Sequence, residues 1–268
     1  MTKYFDASKE CLVFVGQKAN EAFWDTRWQI DDFRKEIERS LKRNQYFVRY
    51  TQKYLPAGAT VLEGGCGRGD IVYALQKSGF QAHGVDFAPE TVAKINTYAP
   101  ELKVTQGDVR SLNFPDNYFD GYWSLGVIEH FYDGYEPILQ EMNRVIKKDG
   151  YLFLTFPAMS RLRKQKARAN QYPSLKENEQ LLANFYQFAL DPDRVIVQFQ
   201  NKGYRLMEIQ LRNGFIGLQE EIGWRPLQWL LNKLDKQNWL AKKLRKAIDL
   251  LSTPFSNHGV MLIFKKQA

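Results

Sequence analysis

Three carboxylates stand at the ends of short apolar runs, and glycines crowd the turn after the first of them. Glu63 follows Val61-Leu62 and opens Gly64-Gly65-Cys66-Gly67-Arg68-Gly69-Asp70. With no Cβ at positions 65, 67 and 69, the backbone can bend tightly and approach a ligand closely. Asp86 ends the run Ala82-His83-Gly84-Val85, and Asp108 follows Gly107 after a third run. Each acid alone would also suit a helix cap or a turn. Acids at the carboxyl ends of three consecutive strands converge on the crevice where open α/β sheets bind ligands, and the second is placed to accept from ribose hydroxyls. A dinucleotide fits poorly, because G-x-G-x-x-G counted from Gly65 meets Asp70 at its sixth place. Further on, Glu129-His130 sets a carboxyl beside an imidazole, the pair best placed to take a proton from a hydroxyl. The alternative is that His130 only orders its loop.

The elements that must hold these groups follow from the hydrophobic rhythm. From Thr60 onward, short apolar runs alternate with stretches of helical spacing, which predicts parallel β-α-β units in a doubly wound sheet. Before it, residues 1–55 read as a helical extension, with Phe33, Ile37 and Leu41 near helical spacing and Pro56-Ala57-Gly58 as the stop. Residues 56–268 form the main domain. It carries insertions at about 158–190 and 212–257, where the strand-helix rhythm lapses, and it closes with strands near Tyr204 and Gly259.

Over about 60–157, and again at the last two strands, the chain resembles the class I S-adenosylmethionine-dependent methyltransferases. The matching pieces are E-x-G-x-G-x-G at 63–69, Asp86, Gly107-Asp108, the run from Asn113 to Asp120, Leu125 to His130, and Glu141 to Gly150. The resemblance implies a Rossmann-like, seven-stranded, mostly parallel sheet with helical insertions forming a substrate cover. It implies S-adenosylmethionine as cofactor and S-adenosylhomocysteine as product. Glu63, Gly64, Gly65, Gly67 and Gly69 would hold the methionine part, Asp86 with Phe87 the ribose side, and Asp108 with Val109 the adenine; Ser124 and Leu125 join the same site. More weakly, Phe23-Trp24-Asp25-Thr26-Arg27-Trp28 is similar to the W-x-x-x-W element that closes over the cofactor in thiopurine methyltransferase-like enzymes. Trp24 and Trp28 would share a helix face and cap a sulfonium by cation–π attraction, with Arg27 beside them; packing of an N-terminal helix is the other reading. Glu129-His130 also comes near the E-x-x-E-H of ubiquinone-type O-methyltransferases, but Gly126 replaces the first acid, so no metal is expected.

Composition bounds the partners. The chain has 268 residues, 44% hydrophobic and 25% charged, enough for one substantial core, and two cysteines, Cys11 and Cys66, too few for a disulfide framework. No apolar run reaches the roughly 18 residues of a bilayer span and the start lacks a secretory pattern, so a cytoplasmic protein is expected. The net charge of +8 is concentrated: residues 157–189 hold six Lys/Arg against two Glu, and 221–256 hold seven against three acids. Both segments therefore point to an anionic partner or a solvated face. In the second, Leu227, Leu230, Leu231 and Leu234, then Leu240, Leu244, Ala247, Ile248 and Leu251, fall at helical spacing with lysines opposite and Trp224, Trp229 and Trp239 along the edges. That pattern suits a lid over the nearby core, the preferred expectation, or peripheral contact with the anionic inner surface of a membrane. The expected activity is methyl transfer, to the oxygen of a small-molecule or lipid-linked anionic metabolite. An RNA methyltransferase and a non-catalytic S-adenosylmethionine-binding scaffold are the alternatives. DNA is disfavoured, because no Pro-Pro-aromatic run follows the fourth strand and neither cysteine follows a proline.

Overall fold

A computed structural model describes residues 1–28, 33–176, 179–234 and 238–267, the side chain of Arg225 apart. Glu177, Asp235 and Lys236, counted above among the charges, lie outside them. The chain divides into two compact units. The first comprises Met1–Gln17, Thr155–Val197 and Ile209–Leu262; the second comprises Lys18–Leu154, Gln198–Glu208 and Ile263–Ala268.

The start of the chain corrects the expected helical extension. Strand β1 (Thr2–Asp6) pairs antiparallel with β2 (Cys11–Val15), and helices begin only with α1 (Glu21–Arg27), α2 (Phe33–Arg43) and α3 (Gln45–Tyr54). Cys11-Leu-Val-Phe-Val15 is a strand signal of β-branched and aromatic residues, and the preceding turn is knotted by Asp6, whose Oδ1 accepts from the backbone N–H of Ser8 and Lys9.

From Thr60 the β-α-β rhythm is realised as β3 (Thr60–Gly64), α4 (Asp70–Lys77), β4 (Gln81–Asp86), α5 (Pro89–Tyr98), β5 (Lys103–Gln106), β6 (Phe119–Leu125), α6 (Glu136–Val145) and β7 (Ile146–Pro157). The first insertion contributes α7 (Arg161–Arg168), α8 (Glu179–Ala183) and β8 (Phe185–Ala189), and β8 joins β2 to complete a three-stranded sheet. Then come α9 (Pro192–Asn201), β9 (Tyr204–Arg212), α10 (Gly214–Glu221), α11 (Arg225–Leu234), α12 (Trp239–Ser256) and β10 (Gly259–Lys266).

The larger sheet has the order β5-β4-β3-β6-β7-β10-β9, with β3, β4, β5 and β6 parallel. Chain order reverses between β3 and β6, and such a switch point is where open sheets leave a crevice. Register brings the chemistry level: Gly64 lies beside Val85 and Ser124, and Asp86 beside Gln106. In the second unit Trp123 anchors the core, stacked on Phe153 at 4.2 Å, with its indole N–H donating to Thr51. Two cations there are answered by backbone carbonyls. The Lys266 ammonium donates to the Asn143 and Ile146 carbonyls, and Arg144 ties the loop at 112–116 through Leu112 O, Phe114 O and Asp116.

In the first unit, Leu12, Phe14, Met159, Ala167 and Ala189 make the core, beside a buried charge network. Arg163 is fully buried; its Nε donates to Glu221 at 3.0 Å and its Nη2 to Glu220 at 2.8 Å. Glu221 also accepts from Lys3, Lys166 and Tyr172. Lys164 pairs with Asp191 and Asp193. Three of the cations assigned to an anionic partner at 157–189 are thus held by the fold itself.

Candidate active site

The site is built in the second unit on the turn after β3. Gly65, Gly67 and Gly69 have φ of +76°, +50° and +71°, the left-handed region that a side chain resists. Space forbids side chains at two of them: a Cβ at Gly65 would come 2.6 Å from Val127, and one at Gly67 2.9 Å from the Trp28 ring. The turn is held from β4. Gly65 and Cys66 donate to Val85 O, and Gly67 donates at 2.7 Å to Asp86 Oδ2, whose other oxygen accepts from Ala88 N–H. Asp86, expected at the ribose, is therefore also the brace of the glycine turn. Burial raises its carboxyl and the backbone donors pull it back.

Glu63 is buried and its Oε2 has no hydrogen-bond partner among the described residues. Burial, then the nearby Asp70 and Asp86, pushes this carboxyl well above its usual range. Ser124 Oγ and Glu129 Oε2 are buried without partners as well. Unanswered polar atoms at the ends of β3 and β6 carry a cost of about 1–3 kcal/mol each unless something satisfies them. Donors and acceptors of a polar ligand such as the methionine part of S-adenosylmethionine would do so, and the tightly bent glycine backbone fits the same group.

The same unit holds an open pocket of about 770 Å³, lined by Asn20, Glu21, Ala22, Phe87, Gln106, Gly107, Asp108 and Arg110 and by no residue of the glycine turn. Phe87 and Asp108 are among its lining residues. Val109 is buried and does not line it. The Asp108 carboxylate receives a two-pronged bond from Arg110 at 3.0 and 2.6 Å, and this partner, more than any other factor, holds it below its usual range. Sequence reasoning did not identify Arg110; a cation two residues after the acid was the available signal.

An aromatic pair sits on α1 and on the residue that ends it. Trp24 and Trp28 stack at 5.7 Å, and Trp24 meets the His130 ring edge-on at 5.2 Å. Arg68 lies 6.0 Å from the Trp28 ring and bonds Asp70, while Arg27 is exposed on the last turn of α1. What docks α1 is a residue between the tryptophans. The buried Asp25 accepts from the N–H and hydroxyl of Thr91, both at 2.8 Å, capping the first turn of α5. Glu129 and His130 sit on a short 3₁₀ turn, Ile128–His130. Glu129 is sealed, and burial pushes it up to about 8; His130 is half-buried against Trp24. Of the expected pair, Glu129 is thus kept protonated by burial, which disfavours it as a base. Among the described residues, no group of three His, Cys, Asp or Glu is arranged to hold a metal ion.

Residues 62–154 match a family model described as a methyltransferase domain. The chain is 35% identical over 102 residues to 2-methyl-6-phytyl-1,4-hydroquinone methyltransferase of Synechocystis sp., covering 37% of this chain and 32% of that protein. It is 33% identical over 103 residues to demethylmenaquinone methyltransferase of Bacillus licheniformis, covering 36% of this chain and 44% of that one. It thus spans less than half the length of either relative. In three dimensions it is similar to an S-adenosylmethionine-dependent methyltransferase from Methanosarcina mazei, with a TM-score of 0.55, 15% identity and coverage of 81% of this chain and 97% of that chain. At that identity the likeness is one of fold.

Proposed function

We propose that this chain, whose residues 62–154 belong to the class I S-adenosylmethionine-dependent methyltransferases, transfers a methyl group to a small hydroxyl-bearing acceptor. The observation that carries the reading is the convergence on one glycine turn of a buried, unanswered Glu63, the bracing Asp86 and a pair of stacked tryptophans. Glu63 and the turn would hold the amino-acid end of the cofactor; Asp86, Phe87 and Asp108 would hold the nucleoside. Bound S-adenosylmethionine supplies an electrophilic methyl on a sulfonium. The chain's own part is to orient the acceptor, exclude water and receive one proton. Trp24 and Trp28 offer π faces to a cation, and His130, pressed against Trp24, is the group to take the acceptor's hydroxyl proton.

An acceptor of the hydroquinone class is supported by the names of the two quinone-acting relatives. Methylation at its oxygen or at the neighbouring ring carbon begins with the same loss of a hydroxyl proton. The basic helix α7 lends little to an anionic or RNA acceptor, since Arg163, Lys164 and Lys166 are engaged in ion pairs. Incubating the protein with labelled S-adenosylmethionine and a panel of hydroquinones and phenols tests the proposal. His130→Ala should lower kcat by about 10² or more while calorimetry shows unchanged binding of S-adenosylhomocysteine. Equal turnover in the variant would remove the proton-accepting role.

A further inference from the structure

Helix α12 is mounted with its polar side inward. Ser256 Oγ donates to Gly214 O, Asp249 accepts from Phe215 N–H and Thr253 Oγ1 accepts from Gly214 N–H, so α10 is gripped by small and polar residues. Gly214 and Gly217 make the grip possible: a Cβ at either would overlap the backbone of Thr253 or Ser256. Helical periodicity then turns the apolar side outward. Leu240, Leu244, Ala247, Leu251 and Phe255 recur at i, i+4, i+7, i+11 and i+15, one stripe along the helix. Leu240 is 63% exposed, Leu251 81%, and Leu250 beside the stripe 76%. The preferred expectation of a lid packed on the core fails for this face, because the contacts that would have buried it are made by the opposite one. On α11 Leu231 is buried, while Trp229 and Leu230 are exposed.

An apolar stripe of this extent is uncommon on a soluble surface, and the residues along its edge state what it faces. Trp239, Lys243 and Lys246 follow one another at i, i+4 and i+7 beside the leucines, with the Lys243 ammonium 4.7 Å from the Trp239 ring. Lys233 lies over Trp229 at 3.5 Å. Amphipathic Trp and snorkelling Lys along the edge of an apolar stripe are the residues of a membrane interface. The one acid of α12, Asp249, is turned to the Phe215 N–H. No described helix is long and apolar enough to cross a bilayer. We infer that the outer face of α12, with Trp229 and Leu230 of α11, docks on the surface of an anionic lipid bilayer, the leucines in the acyl boundary and the lysines at the headgroups.

The inference depends on neither the cofactor nor the acceptor, and its test reads binding alone. The full chain is mixed with phosphatidylglycerol or phosphatidylcholine vesicles, followed by flotation and by tryptophan emission. Phosphatidylglycerol vesicles should carry the protein up the gradient and blue-shift the emission, with release at high salt. Leu244→Glu with Leu251→Glu should abolish binding. Lys242→Gln, Lys243→Gln and Lys246→Gln together should weaken it roughly a hundredfold at low salt, from about 1 kcal/mol per cation. Circular dichroism and thermal unfolding, unchanged in both variants, would show intact folds. Equal partition onto phosphatidylcholine would overturn the inference. So would no partition at all, whether the chain then sediments as a monomer or as a dimer that the Leu→Glu pair dissociates.

Discussion

A carboxyl sealed from water keeps its proton, and Glu129 is such a group: burial pushes it up to about 8 from its ordinary 4.5. Between those values the folded chain holds a proton that the unfolded chain has released. Its contribution to stability is complete below about pH 4.5 and is lost as pH rises through 8, at up to roughly 1.4 kcal/mol per pH unit. Glu129→Gln should remove that slope. Denaturant unfolding from pH 5 to 9 should show the variant gaining on the wild type as pH rises, on top of a constant offset from its buried amide; parallel curves would mean that Glu129 is ionised at neutral pH. The residue types of the site were legible because glycines that need φ > 0 and acids that close strands have few other uses in that spacing. Their roles were less so. Asp86 reads as a ligand group and proves also to be a brace, and Glu129 reads as a base and proves to be sealed. Burial and partners decide such roles, and both come from segments remote in sequence.

Helices and strands carry the same contrast between pattern and context. The parallel units from Thr60 to Pro157 follow a rhythm that sheet geometry enforces, and they form at the places that rhythm marks. The hairpin β1–β2 was obscured by its neighbours, for five-residue strands leave little periodicity to count. Helix α12 shows the converse: its leucine stripe is plain in the sequence, but which side faces the protein depends on Gly214 and Gly217 of α10. Helix α1 is docked by a single carboxylate, since Asp25 caps α5 through Thr91. Asp25→Ala should cost about 0.5–2 kcal/mol, the usual worth of a lost helix cap. It should also release Trp24 and Trp28, seen as a red shift of their emission together with weaker S-adenosylhomocysteine binding. Unaltered emission and affinity would show that packing alone holds α1.

At the scale of the whole molecule the two compact units should answer pH in opposite directions. In the first, Glu221 is the anion shared by Arg163, Lys3, Lys166 and Tyr172. Burial alone would raise its carboxyl, but Lys3, Tyr172 and Lys166 hold it down to about 2. A depressed carboxyl contributes stability above its ordinary 4.5, and that contribution is lost as pH falls toward 2. In the second unit Glu63, Asp86 and Glu129 are all raised by burial, so its loss comes on the alkaline side. The depressed acids there, Glu36, Asp108, Glu141 and Asp149, are paired nearer the surface and count for less. Hydrogen exchange corrected for intrinsic rates should therefore lose protection first in 1–17, 155–197 and 209–262 at about pH 3, and first in 18–154 at about pH 9. Glu221→Gln sharpens the comparison. It should destabilise the first unit by about 3–5 kcal/mol at neutral pH, where buried cations lose their anion, and the gap should close as the wild-type carboxyl protonates toward pH 2. If one set of segments opened first at both extremes, the buried carboxyls would not be what sets the acid and alkaline limits of this fold.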